Sequence, residues 1–251
     1  MSQQAASLLI LQAALADSLD DPEAPTAGPL TLLIDRSSDS PGRNYAAPVR
    51  PESPTAQDIS RVIALMRAAG RAPRLEFVSP APALERELLE AGFSLGHRVG
   101  LMTLGELKPV SPPAGFELSL APTQADLFGA AAVQNEAYGD PEPAATTASR
   151  LAHNQRVGGW VAVAREVASG DAVGCGLATP QRRGFCEIAA VAVRADVRRR
   201  GIASALTSKL TRAVLDAGHQ PFLQAEPAEV SLYQQIGYER IGDVVYAEVP
   251  N

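Results

Sequence analysis

Apolar and polar residues alternate with changing period along this chain, and each change of period marks an element. Ile59, Val62, Ile63 and Met66 recur at helical spacing inside Thr55 to Ala69, and Gly70 follows as a stop signal, so the pattern predicts a helix there. Ahead of it, Ala5 to Leu19 reads as an amphipathic helix, and Leu30 to Ile34 and Tyr45 to Val49 read as strands. Ser37 to Gly42, with Asp39 and Pro41, reads as a surface loop. After it come a strand (Arg74 to Val78), a helix (Ala83 to Ala91) and a strand (Val99 to Leu104).

The pattern breaks at Lys108-Pro-Val-Ser-Pro-Pro-Ala-Gly115. Its three prolines remove backbone donors and hold the chain extended, so neither a helix nor a central strand continues through it. This predicts an N-terminal α/β domain over residues 1–107, a linker at 108–115 and a second domain over 116–251. In the second half, Phe116 to Leu120 alternates as a strand, and Gln124 to Tyr138 and Ala144 to Val157 read as helices with a surface loop at Asp140 to Glu142. Trp160 to Ala164 and Ala172 to Ala178 read as successive strands across a Ser169 to Asp171 turn. Cys186 to Val193 is apolar except for Glu187, as expected of a strand covered on both faces. A helix with the stripe Ile202, Leu206, Leu210 and Val214 ends at Gly218, and Phe222 to Ala225 is a strand. A short helix (Ala228 to Ile236) and a closing strand (Val244 to Val249) complete the order.

The halves echo each other. Arg74-Leu-Glu-Phe-Val78, a short helix and Glu90-Ala-Gly-Phe93 parallel Phe222-Leu-Gln-Ala225, a short helix and Gln235-Ile-Gly-Tyr238. The shared strand-helix-Gly-aromatic-strand order points to an internal repeat.

Composition narrows the function classes. A hydrophobic share of 46% and a charged share of 20% belong to a globular chain, not a disordered one. A formal net charge of -6 argues against nucleic acid as a partner. No apolar run approaches the roughly 18 residues of a membrane span, and the first residues lack a basic segment before their apolar stretch. The expectation is a cytoplasmic protein, monomeric or homodimeric, that does not act on membranes. Cys175 and Cys186 sit in apolar segments and read as buried thiols, and the three histidines stand at no metal-ligand spacing, so no metal is expected.

One stretch carries chemistry: Val191-Ala-Val-Arg-Ala-Asp-Val-Arg-Arg-Arg-Gly-Ile-Ala203. An apolar strand ends, an Arg-rich turn follows, and a helix opens near Gly201. A helix N-terminus presents unpaired N–H groups and the positive end of its dipole, which suits a phosphate. Gly201 and Ala203 let an anion approach the backbone closely, and Arg198 to Arg200 add charge and donors. Alone, the three arginines read equally well as a solvated face. The strand-turn-helix context favours the anion site, and it is neither a Gly-Lys-Ser/Thr loop nor a GxGxxG loop.

Arg198-Arg-Arg-Gly201-Ile-Ala203 resembles the R/Q-x-x-G-x-G/A signature of the GNAT superfamily, and Ser231-Leu-Tyr-Gln-Gln-Ile-Gly-Tyr238 resembles its L-Y-x-x-x-G-F segment. The resemblance covers roughly Phe116 to Val249, and the N-terminal half is similar to a degenerate GNAT-like repeat. It implies an α/β (α+β) GNAT fold, a mixed central sheet flanked by helices. It implies an N-acetyltransferase that moves an acetyl group from acetyl-CoA to the primary amine of a small molecule or peptide, by direct attack in a ternary complex. Val191, Ala192 and Val193 would pair with the pantetheine arm, and the N–H near Val193 would polarise the thioester carbonyl. Arg198, Arg199, Arg200, Gly201, Ile202, Ala203 and Ser204 would hold the pyrophosphate. Tyr233 would protonate the departing thiolate, or is a packed helix residue. Glu187 would take the amine's proton, or is an edge-facing carboxylate or a structural partner for a nearby Arg. Glu136 and Tyr138 are candidates for acceptor binding. Two departures stand out. Glu226 and Glu229 replace the family's usual Asn and Ala, and the N-terminal half has no Arg-x-x-Gly-x-Gly, with Leu88 where Tyr233 falls in the echo. The Glu226 departure and the unassigned base keep open a second reading, a non-catalytic acyl-CoA-binding module.

Overall fold

The computed structural model describes residues 3–16, 23–36, 41–120 and 123–250. The chain forms two compact units, Met1–Leu101 with Arg240–Asn251, and Met102–Glu239. The end of the expected first helix, Leu19, and positions 37–40 of the expected loop lie outside the described residues.

The first unit contains α1 (Gln3–Ala16), β1 (Thr26–Ala27), β2 (Leu30–Ile34), β3 (Asn44–Pro48), α2 (Ala56–Ala68), β4 (Arg74–Ser79) and α3 (Pro82–Glu90). A strand β5 (Ser94–Leu104) then leads out of it, and the last strand of the chain, β11 (Tyr238–Glu248), leads back in. The strand order is β1-β2-β3-β4-β11. β2 and β3 are antiparallel along their full length, whereas β3 and β4 are parallel and share one paired position, Ala46 with Leu75. β11 runs antiparallel to β4 from Asp243 opposite Ser79 to Glu248 opposite Arg74. Period-2 alternation turns Leu75 and Phe77 of β4, with Val245 and Ala247 of β11, onto a core completed by Ile59, Val62 and Met66 of α2 and Leu84 and Leu88 of α3. The opposite positions of β4 and β11, Arg74 with Glu248, form an ion pair at 3.4 Å. β11 begins earlier than its apolar run suggests. Glu239, Arg240 and Asp243 interrupt the hydrophobic pattern without interrupting the strand, because strand formation constrains the backbone and not the polarity of its solvent face.

The second unit contains β6 (Phe116–Leu120), α4 (Gln124–Tyr138), α5 (Ala144–Arg156), β7 (Trp160–Glu166), β8 (Ala172–Ala178), β9 (Phe185–Val193), α6 (Ile202–Asp216), β10 (Gln220–Ala225) and α7 (Val230–Ile236). The strand order is β10-β9-β8-β7-β6, antiparallel except for the parallel pair β9 and β10. Successive residues of β7 serve opposite faces. Ala162 and Ala164 pack with Ile202, Leu206, Leu210 and Val214 of α6, while Val161 and Val163 pack with Leu127, Ala130 and Ala131 of α4 and Leu151 of α5. The result is a mixed α/β layer with helices on both faces. Among the described residues no helix is long and apolar enough to cross a membrane.

Candidate active site

The site starts from a defect in β9. Between Cys175 opposite Ala192 and Leu177 opposite Ala189, β9 holds one residue more than β8, and Ala190 takes up the excess at φ 53°. A bulge of this kind bends its strand and breaks the ladder locally. On the other edge, β9 pairs with β10 only through Phe185, Cys186 and Glu187. Beyond Glu187 the two parallel strands part, and Val191, Ala192 and Val193 line a cavity of about 780 Å³. A strand edge that faces a cavity with no partner strand beside it is a ready acceptor for an extended ligand.

The turn after β9 delivers the second wall. Arg198 Nε donates to the Val193 carbonyl at 2.9 Å, which ties the turn to the strand end. Arg199 sits at φ 61° and Gly201 at φ 87°, so the chain passes through left-handed backbone to enter α6. Gly201 is the N-cap, no side chain caps the helix, and its first turn holds no acid. The N–H groups that open α6 are therefore left for a ligand, and the positive end of the dipole faces the same way. Arg198, Arg199, Gly201, Ile202, Ala203 and Ser204 all line the cavity. Arg200 does not: its guanidinium lies over the Phe116 ring, 6.0 Å from the centroid. Of the three arginines two face the cavity, and the third packs on an aromatic ring.

The third wall comes from α4 and α7. Ser231 and Gln235, one helical turn apart, line it with Glu229 and Leu232. Tyr138 and Ala137 close it from the last turn of α4. Tyr138 is 59% exposed, but its hydroxyl points to the Val191 carbonyl at 3.5 Å, and desolvation there pushes the phenol up to about 12. The loop beyond Tyr138 is fixed from within α4: Asn135 Nδ2 donates to the Glu142 carbonyl at 2.7 Å, and Thr147 Oγ1 donates to Asn135 Oδ1 at 2.9 Å.

Tyr233 and Glu187 stand behind these walls. Tyr233 is buried, its ring set edge-on to Tyr238 with centroids 6.4 Å apart. Burial first, and then the Glu229 carboxylate, raise its phenol, so the hydroxyl keeps its proton well above neutral pH. Glu187 accepts from Gln224 Nε2 at 2.9 Å, and burial raises its carboxyl above the ordinary range while that hydrogen bond opposes the shift. Both cysteines are free and buried, and burial pushes their thiols up to about 12 for Cys175 and about 11 for Cys186, which leaves neither as a ready nucleophile. The lining from Ser231 and Gln235 was open to sequence reasoning through their one-turn spacing beside the Tyr-containing motif. Val197, which also lines the cavity, carries no such signal.

A cleft along the end of β9, facing an uncapped helix and two arginines, has the shape and charge for an extended ligand with an anionic end. Residues 126–238 match the family model described as "Acetyltransferase (GNAT) family", and this part of the chain is a GNAT domain. Similar folds extend over the whole chain. A GCN5-related N-acetyltransferase from Kribbella flavida aligns with 100% of this chain and 97% of its own at TM-score 0.77 and 21% identity. One from Sphaerobacter thermophilus covers 98% and 92% at TM-score 0.64 and 16% identity. A tandem GNAT protein from the clavulanic acid biosynthesis pathway covers 98% and 95% at TM-score 0.62 and 14% identity. The N-terminal half thus also aligns with GNAT structures. No curated protein matches the chain.

Proposed function

We propose that the chain is an N-acetyltransferase that uses acetyl-CoA as donor and the primary amine of a small molecule or peptide as acceptor, working in the cytoplasm. The observation that carries this reading is the N-terminus of α6. It is uncapped, free of acids in its first turn, and opens with Arg198 and Arg199 onto the cavity along Val191 to Val193, which β8 pairs on one edge and β10 does not pair on the other. A diphosphate matches those N–H groups and guanidinium groups, and an amide-bearing arm matches the strand edge. Bound there, acetyl-CoA supplies an activated acyl group to an attacking amine. The backbone near Val193 offers a donor to the carbonyl oxygen, where negative charge grows during attack. Glu187, whose carboxyl burial raises above its ordinary range, takes the proton that the amine nitrogen loses as the C–N bond forms. A tyrosine hydroxyl returns a proton to sulfur as the C–S bond breaks. Tyr233 holds the motif position, and Tyr138 lies on the cavity wall.

The placement of Tyr233 and Glu187 behind the wall favours one competing reading, an acyl-CoA-binding module without turnover. Thiol release from acetyl-CoA over a panel of amines separates the two. Turnover that falls at least tenfold in Tyr233→Phe or in Tyr138→Phe supports the enzyme and says which tyrosine acts. Calorimetric binding with no amine-dependent release supports the module. Arg199→Ala combined with Gly201→Asp removes donor binding under both readings, and unchanged affinity in that variant overturns the site itself.

A further inference from the structure

The first unit repeats the design of the cleft and then fills it. Its parallel strands β3 and β4 pair at one register position, Ala46 with Leu75, and their ladder goes no further, as that of β9 and β10 stops at Glu187 with Phe222. Into the gap goes α1. Gln12 Oε1 accepts from the Val78 N–H of β4 at 2.6 Å, and Gln12 Nε2 donates to the Pro48 carbonyl of β3 at 3.1 Å. One side-chain carboxamide thereby bridges the two strands where a ladder would otherwise run, offering one acceptor and one donor as a ligand's amide would. Leu11, one residue before it, is fully buried, which seats the helix.

The N-terminus of α2, the helix between β3 and β4, differs from that of α6 in the matching respect, and α3, though without a side-chain cap, carries Glu85 in its first turn. Asp58 N–H donates to Thr55 Oγ1 at 3.3 Å and Thr55 N–H donates to Asp58 Oδ2 at 2.9 Å, a reciprocal cap that uses one first-turn donor of α2 and puts a carboxylate at its positive end. At the start of α3, Glu85 accepts from Ser79 Oγ at 2.7 Å. The Thr55 hydrogen bonds hold the Asp58 carboxyl below its usual range, so it is charged at neutral pH and repels a diphosphate. What remains beside α1 is a cavity of about 380 Å³ lined by Leu8, Gln12, Pro48, Phe77, Val78 and Leu84.

We infer that the first unit retains an amide-binding cleft between its parting strands and that α1 occupies it through Gln12 as a built-in ligand, so that the unit takes no acyl-CoA. The ligand class that would compete with Gln12 is an extended secondary amide without phosphates. Assigning it to pantetheine-type molecules rests on the acetyl-CoA reading of the second unit.

The test follows backbone amides of the full-length chain by NMR with saturating acetyl-CoA present and pantetheine added. In the native chain pantetheine leaves the Val78 amide unmoved. In Gln12→Ala the helix keeps its apolar seat and the Val78 amide exchanges with solvent deuterium at least tenfold faster. In Leu11→Glu combined with Gln12→Ala the helix leaves the cleft, and pantetheine shifts Val78. Movement of Val78 by pantetheine in the native chain overturns the inference, as does a folded double variant in which Val78 does not respond. If the double variant unfolds, the exchange rate in Gln12→Ala decides: a rate equal to native overturns the bridge. Failure of acetyl-CoA itself to move any amide from Val191 to Ser204 counts against the acetyltransferase reading alone, since the Val78 exchange comparison needs no donor.

Discussion

Glu187 brings stability and proposed catalysis into opposition within one side chain. Its carboxyl is raised by burial, so the folded protein binds that proton more tightly than the unfolded chain. The stability linked to it is complete below the ordinary glutamate value of about 4.3 and is lost as pH rises through the folded value. Glu187→Gln is therefore expected to be more stable than the native chain at pH 7, with the gain vanishing near pH 4 in denaturant titrations. The same variant is expected to lose the ascending limb of the pH–rate profile while its affinity for acetyl-CoA stays within twofold. A limb that survives unshifted assigns Glu187 to structure alone. Gly237 carries a different kind of constraint. It ends α7 at φ 105°, and a methyl group there would overlap the Glu106 carbonyl. Gly237→Ala should cost about 2 kcal/mol or more, through left-handed strain together with the displaced carbonyl, measurable as a lower denaturation midpoint at constant slope.

At the scale of elements, α2 and α4 open with reciprocal side-chain caps. α4 opens with Thr123 and Asp126 in a reciprocal cap, and Asp126 also pairs with Arg165 of β7. Burial alone would raise the Asp126 carboxyl, but the hydrogen bonds from Arg165 and Thr123 outweigh it, and the net shift is downward. A carboxyl depressed in the folded state lends stability above the unfolded value of about 3.9 and loses it as pH falls through the folded value. Asp126→Asn is expected to lower stability by about 1–3 kcal/mol at pH 7 and to approach the native chain below pH 3, as read from urea midpoints against pH. α6 lacks any such cap, as do α3, α5 and α7; what sets α6 apart is that Gly201 and its first turn line the cavity beside Arg198 and Arg199. Helices were well marked in the sequence: Gln124 to Tyr138 matches α4 end to end, because Thr123, Asp126 and Gly139 are local signals. The bulge at Ala190 was not legible, since alanine carries no left-handed preference and only the pairing with β8 reveals the extra residue. Nor was the fate of Arg200, because three successive arginines look alike until Phe116, far off in sequence, takes one of them.

For the whole molecule, the sequence echo between the halves reached the strand order and the helices but not what fills each cleft. Gln12 lies 66 residues before Val78, and nothing in the local pattern of α1 announces a bridge to β4. The two clefts nevertheless make one prediction about the chain as a unit. Where α6 is uncapped and the strand edge of β9 is free, a donor binds; where α2 is capped and Gln12 spans the strands, it does not. Calorimetric titration is accordingly expected to give one equivalent of acetyl-CoA per chain, and two equivalents would contradict the filled cleft. Binding to the folded state alone raises stability by about 2.7 kcal/mol at a free donor concentration a hundred times Kd. For a chain of this length that corresponds to a rise in Tm of roughly 5–10 °C. The rise should vanish in Gly201→Asp, which places a carboxylate at the N-terminus of α6, and should persist in Gln12→Ala, whose own Tm is lower. A donor-dependent rise of equal size in Gly201→Asp would mean that acetyl-CoA stabilises the protein from somewhere other than the cleft of the second unit.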